Sequence, residues 1–185
     1  MNARAKLIAL IGLPAVLALG TLIPQEEGVV LKTYRDPVGI ITSCMGHTGP
    51  ELRLGMTFTR AECDTQMYTD LLKHAEPVIK CAGPLQGPRV VAAIDFAYNK
   101  GTSGFCNSGF ARKLKSAAPD ACDEPLKWVY ATKAGKKLDC RVRSNDCYGL
   151  VLRAQRTKRM CEGDMSDLGL DIDWSLTAET EDGAP

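Results

Sequence analysis

Eight cysteines spread along one chain constrain its fold more than any other feature: Cys44, Cys63, Cys81, Cys106, Cys122, Cys140, Cys147 and Cys161. An even number at this density belongs to an oxidising compartment, where thiols end as disulfides. Zinc is the competing use for so many thiols. No C-x-x-C pair occurs, and His47 and His74 do not stand at zinc-ligand spacing from the cysteines, so no metal site is expected. A disulfide framework is expected instead, with its pairing open.

The N-terminus agrees with export. Arg4 and Lys6 precede an uncharged run, LIALIGLPAVLALGTLI, from Leu7 to Ile23. This run is at the short edge of what spans a bilayer, about 20 residues, and slightly longer than the usual signal-peptide core. Ala9, Gly12, Pro14, Ala15, Ala18, Gly20 and Thr21 are small or weakly apolar, which makes it a poor permanent anchor. One reading is a cleaved signal peptide, with Ala18-Leu19-Gly20 as a small-x-small site. Another is an uncleaved segment, residues 7–23, that enters the inner membrane and later leaves it. A buried core helix is a third reading, opposed by the basic flank. Positive charge before the run and none just after it puts the remainder outside the cytoplasm under both export readings.

Charge is unevenly spread. Residues 162–185 carry Glu162, Asp164, Asp167, Asp171, Asp173, Glu179, Glu181 and Asp182 and no Lys or Arg, which reads as a solvated, flexible tail. The body is correspondingly basic and suits an anionic partner, a wall polymer or nucleic acid. No aromatic-interleaved basic stripe or zinc-finger spacing appears, so nucleic acid is not expected.

Between them, residues 33–54 turn to Gly, Pro, Thr and β-branched residues, and predict a short hairpin or three-stranded sheet. Thr59 and Glu62 form a capping box before a helix with Cys63, Met67, Leu71, Ala75 and Ile79 on one face. Pro88 opens a second helix marked by Val91, Ile94 and Tyr98. Three more are expected at about 107–117, 124–131 and 145–161. The fold class is α+β: mostly helical with a small β element near the start, preceded by an apolar helix.

The segment EGVVLKTYRDPVGIITSCMGHTG, residues 27–49, carries the chemistry. Glu27 lies at the end of the apolar helix, where neighbouring Leu and Val are expected to desolvate a carboxyl, as a general acid working near neutral pH requires. Asp36 lies in a polar turn, and Thr42 brings a hydroxyl that can hold a water. Contrasting environments of this kind divide two carboxylates into a proton donor and an anionic partner. Spacing alone leaves open whether these are surface charges.

Taken whole, Glu27-Gly28, Leu31, Tyr34, Asp36, Gly39, Thr42 and Gly46-His47-Thr48-Gly49 resemble the active-site signature of phage lysozymes of glycoside hydrolase family 24. The stretch AIDFAYNKGTSGFCNSGFARKLK, residues 93–115, is similar to the family's Tyr-Asn-x-Gly…Gly-Phe region, and KWVY…GLVLRAQR to its closing helices. The resemblance covers roughly residues 25–162 and implies a lysozyme-like domain over 24–162, between an N-terminal signal-anchor segment (1–23) and an acidic tail (163–185).

The resemblance also implies a peptidoglycan N-acetylmuramidase, an endolysin without cofactor, acting as a monomer during host lysis. Glu27 matches the general acid, Asp36 the carboxylate that activates or orients water, and Thr42 the water-positioning hydroxyl. Tyr98, Asn99 and Ser108 fall in regions lining the sugar cleft, where core packing or capping are rival roles. His47 is expected in the loop's structural frame, pairing with a carboxylate. Cys44 stands where cytosolically stored relatives have glycine; it either staples the hairpin to the helix containing Cys63 or affects the site through Thr42. For residues 1–23 the resemblance favours a signal-arrest-release segment, tethered at the host inner membrane and then released to the periplasm. The alternatives are a lytic transglycosylase, which would lack the Asp36 and Thr42 pair, and a catalytically inactive wall-binding or inhibitory module.

Overall fold

The apolar run forms two helices, α1 (Ala3–Ile11) and α2 (Leu13–Glu27), where a single one was expected. Gly12 separates them at φ 82° and ψ 154°, a conformation open to glycine. Pro14 follows in the first turn of α2, where its missing N–H removes no intrahelical bond. In a continuous helix its ring would clash with the carbonyl four residues earlier, so the break falls here. No helix among the described residues is long and apolar enough to cross a membrane.

The computed structural model describes residues 1–174 apart from 37, 38 and 134, in two compact units. The first holds Met1–Glu76 and Leu170–Pro185, the second Pro77–Gly169. In the first unit the N-terminal helices supply the core: Leu7, Val16, Leu19, Leu22 and Ile23 are fully buried. Gly20 marks the close approach of α2 to helix α3 (Arg60–Ala82), because a Cβ there would stand 2.8 Å from the Tyr68 hydroxyl. Arg4 of α1 lies 5.5 Å from the centre of the same Tyr68 ring. Small residues that weaken the run as an anchor therefore let it pack as a helix.

The capping box at the start of α3 is formed on both arms. The Thr59 hydroxyl accepts from the Glu62 N–H at 3.2 Å, and the Glu62 carboxylate accepts from the Thr59 N–H at 2.7 Å. Strands β1 (Val30–Arg35), β2 (Ile41–Cys44) and β3 (His47–Thr48) make an antiparallel sheet in that order. Tyr34 pairs with Thr42, and Thr42 with Thr48; β1 bulges between Val30 and Tyr34. At the bulge its backbone turns to the next segment, with Thr33 N–H donating to the Met56 carbonyl (3.0 Å) and Phe58 N–H to that of Leu31 (2.8 Å).

The second unit is built on α4 (Pro88–Lys100), in which every residue from Val90 to Ala97 is buried. Phe96 meets Phe105, Phe110 and Trp128 edge to face, at centroid distances of 6.1, 5.5 and 5.2 Å. Helices α5 (Thr102–Cys106) and α6 (Gly109–Lys115) follow. The helix expected at 124–131 is absent. A 3-10 helix, Ala121–Lys127, contains Pro125 and ends at Lys127, and a hairpin of β4 (Tyr130–Lys133) and β5 (Lys136–Asp139) takes over. Gly135, at φ 73°, supplies its turn. The last helix, α7 (Gly149–Cys161), starts later than the expected 145, because Asp146 is left-handed at φ 55°.

All eight cysteines pair: Cys44–Cys63 in the first unit, and Cys81–Cys106, Cys122–Cys161 and Cys140–Cys147 in the second. The first of these is the hairpin-to-helix staple. In the acidic tail Ser166–Leu168 form a 3-10 turn, with Met165 and Leu168 buried. Glu179, Glu181 and Asp182 lie outside the described residues.

The burial pattern on α2 separates its two sides. Leu22→Ala, at a fully buried position, should cost about 2–5 kcal/mol in urea unfolding. Leu17→Ala, at a position 45% exposed, should stay within about 0.5 kcal/mol of wild type. Equal effects would show that α2 does not bury this face.

Candidate active site

Glu27 is the last residue of α2, and Gly28 ends the helix at φ 73° with its N–H on the Pro24 carbonyl at 3.1 Å. The chain reaches β1 at Val30, which pairs with Cys44. Beyond Cys44 the β2–β3 turn brings Gly46 beside the acid: a Cβ on Gly46 would lie 3.6 Å from Glu27 Oε2. Gly46 is at φ 80°, so side chains are disfavoured there on conformational grounds as well. The carboxylate of Glu27 thus sits half-buried against a backbone turn of the sheet.

Asp36 and Thr42 share one anchor, the backbone of Ile40. The Asp36 carboxylate accepts from the Ile40 N–H through Oδ1 (2.8 Å), while the Asp36 N–H donates to the Ile40 carbonyl (2.9 Å). The Thr42 hydroxyl donates to that same carbonyl at 3.2 Å. Gly39 N–H closes the loop on the Asp36 carbonyl, and the Arg35 guanidinium donates to the Gly39 carbonyl at 2.8 Å. Thr42 is 3% exposed and held in the middle of the sheet. The loop thereby fixes a carboxylate and a hydroxyl relative to one another.

The hairpin beneath them is fastened to α3 by three bonds of different chemistry. Cys44 is disulfide-bonded to Cys63, the Ser43 hydroxyl donates to Gln66 Oε1 (3.2 Å), and His47 Nδ1 meets Asp70 Oδ2 (2.6 Å). Positions 63, 66 and 70 lie on one face of a helix. His47 Nε2 also meets Glu51 Oε1 at 2.7 Å, and Asp70 holds Lys73 at 2.9 Å. Burial of His47 opposes its charge, but the hydrogen bonds and charges of Asp70 and Glu51 outweigh it and raise its pKa above 6.5. His47 therefore belongs to the frame of the loop. Asp70 was missed from sequence; the signal was an acid beside Met67 and Leu71 on the buried face of α3.

The remaining candidates lie in the second unit. Tyr98 and Asn99 occupy the last turn of α4 and are half-buried. Asn99 lines a small cavity with Asp95, Lys100, Trp128 and Arg153. Asp95 is fully buried and is held by Arg153 (2.8 Å) and the Thr157 hydroxyl (3.2 Å), a polar cluster that sequence reasoning did not anticipate. Ser108 caps α6: its hydroxyl donates to the Phe105 carbonyl (2.6 Å) and accepts from the Ala111 N–H (3.1 Å).

Two histidines give stability a pH dependence of opposite sign. His47 has a raised folded-state pKa, so its contribution is complete below the unfolded value of 6.5 and is lost as pH rises through the folded value. His74 is lowered by burial, so stability falls as pH drops below 6.5. Denaturation midpoints measured across this range should decline on the alkaline side in wild type and flatten there in His47→Gln. A wild-type alkaline slope surviving in the variant would contradict this assignment.

The chain matches the phage lysozyme family over residues 24–156. It is 38% identical over 111 residues to the SAR-endolysin of Bacteriophage PS119, covering 57% of this chain and 64% of that relative. With the SAR-endolysin of Escherichia phage 933W it shares 32% identity over 169 residues, 86% of this chain and 93% of the relative. Among solved structures, a P22 lysozyme mutant superposes with a TM-score of 0.60 at 27% identity, covering 83% of this chain and 98% of that one.

Proposed function

Since the chain belongs to the phage lysozyme family and is an endolysin of the muramidase kind acting on peptidoglycan, we propose that Glu27 is its general acid, Asp36 its base and Thr42 the residue that positions water. The bond cleaved is the β-1,4 link between N-acetylmuramic acid and N-acetylglucosamine. Glu27 donates its proton to the glycosidic oxygen as the anomeric carbon–oxygen bond breaks through an oxocarbenium-like state. A water held by Thr42 and Asp36 forms the new bond on the opposite face, and its proton passes to Asp36. Glycan and water are the only reactants.

The observation that carries this reading is the shared Ile40 anchor of Asp36 and Thr42, in the same sheet whose Gly46 turn faces Glu27. A wall-binding module without catalysis has no need of an aspartate and threonine fixed to one peptide. Both ring nitrogens of His47 are engaged with carboxylates, so it takes no part in proton transfer. Tyr98 and Asn99 are assigned to sugar contact; Ser108 works as a helix cap. The relatives' name, SAR-endolysin, supports export and release to the periplasm; tethering at the inner membrane through residues 7–23 and a monomeric released form belong to the same proposal. On release the run refolds as α1 and α2, which end in the acid itself.

Turbidity of chloroform-treated Gram-negative cells tests the assignment. Glu27→Gln and Asp36→Asn should each lose about 10²–10⁴-fold in lysis rate, with their thermal unfolding midpoints close to wild type. Undiminished lysis by Glu27→Gln would overturn it. Products should carry reducing ends; anhydromuramyl ends would make the enzyme a transglycosylase.

A further inference from the structure

The β4–β5 hairpin concentrates cations that bond cleavage does not use. Lys133 stands directly opposite Lys136, and Lys137 opposite Thr132. All three lysines are exposed. Like charges directly opposed across two strands are destabilising, and an isolated two-stranded hairpin is marginal to begin with. Among the described residues no carboxylate pairs with these lysines. Asp139, the acid of β5, is gripped by Arg141 through contacts of 2.6–3.1 Å.

The fold holds this repulsive arrangement in place. Val129, Cys140, Val151 and Ala154 form a buried cluster at the base of the hairpin, and the Cys140–Cys147 disulfide ties that base to the start of α7. Cys140 N–H donates to the Val129 carbonyl at 2.9 Å, and the Asn145 amide to the Asp139 carbonyl at 2.8 Å. Lys137 Nζ is steadied over the Tyr130 ring, 4.1 Å from its centre. Lysine on a sheet edge discourages edge-to-edge pairing, but one lysine per strand end does that without opposing two of them. An anion between the opposed ammonium groups turns the repulsion into attraction.

We propose that this hairpin is a second wall-binding surface that takes carboxylates of the peptide substituents on peptidoglycan, with Lys133 and Lys136 sharing one carboxylate and Lys137 holding a neighbour. The inference rests on peptidoglycan being the polymer engaged. A membrane surface is the rival anion, and the vesicle arm of the test below separates it from the wall. A water-exposed polycarboxylate suits a tip made of ammonium groups.

The test is sedimentation with insoluble sacculi, using full-length protein carrying Glu27→Gln so that the polymer survives. Adding Lys133→Gln, Lys136→Gln and Lys137→Gln should weaken binding about tenfold at low salt, with the difference vanishing near 1 M salt. The corresponding triple Lys→Arg variant should bind as the parent does. Sacculi whose carboxylates have been capped by amidation should bind parent and triple Gln variant alike. In the Glu27 background, hydrolysis of an uncharged chitooligosaccharide should be unaffected by the triple Gln change. Equal binding of both proteins to untreated sacculi would overturn the proposal, as would a loss seen only on anionic phospholipid vesicles. Failure of the muramidase reading is separately visible, as chitooligosaccharide or sacculus cleavage that survives Glu27→Gln.

Discussion

Burial of Leu19, Leu22 and Ile23 in the first unit is the contact on which the rest of the site depends. Each buried side chain of this size is worth about 1.5–3 kcal/mol relative to exposure, so α2 is held as strongly as any core helix. Its last residue is Glu27, and the direction of the acid is set by where the apolar face of the helix must go. Gly20 is part of the same constraint, since its missing Cβ lets α2 approach Tyr68. The small residues that would make the run a weak membrane anchor are the ones that let it pack closely, since they reduce lipid affinity and permit helix contact. Under the proposed cycle, tether and core are alternative uses of one set of side chains, and the acid is in place only in the second.

From that helix end the chain builds the rest of the site in a few residues. The disulfide, the Ser43–Gln66 hydrogen bond and the His47–Asp70 pair hold the sheet to α3 from one helix face. Each acts differently: the disulfide restricts the unfolded chain, the neutral hydrogen bond adds direction, and the charged pair adds pH dependence. On this support Ile40 fixes Asp36 and Thr42 through its own backbone groups. The proposed catalytic groups therefore depend on main-chain geometry, with Gly28 and Gly46 standing where that geometry needs them.

Much of this was legible in the sequence because its signals are local. The capping box at Thr59 and Glu62 and the proline opening α4 each need only neighbouring residues to be read. The break at Gly12 was also local, but hydropathy across Leu7–Ile23 masked it. The β4–β5 hairpin was read as helix because its stability comes from Val129 and Cys140 packing with α7 and from a disulfide, contacts between residues distant in sequence. Asp70 and Asp95 were overlooked for a related reason. Each is a buried acid whose partner, His47 or Arg153, lies on another element. Pairing across elements leaves no periodicity.

The most direct test of the account is hydrogen exchange along residues 13–27 in the full-length protein, free of detergent and lipid. If the run is the core of the first unit, amides from Val16 to Ile23 should exchange as slowly as those of α4, through opening of the whole unit. Rapid exchange there, with α3 and the sheet still protected, would show that Glu27 is positioned by something other than the burial of its own helix.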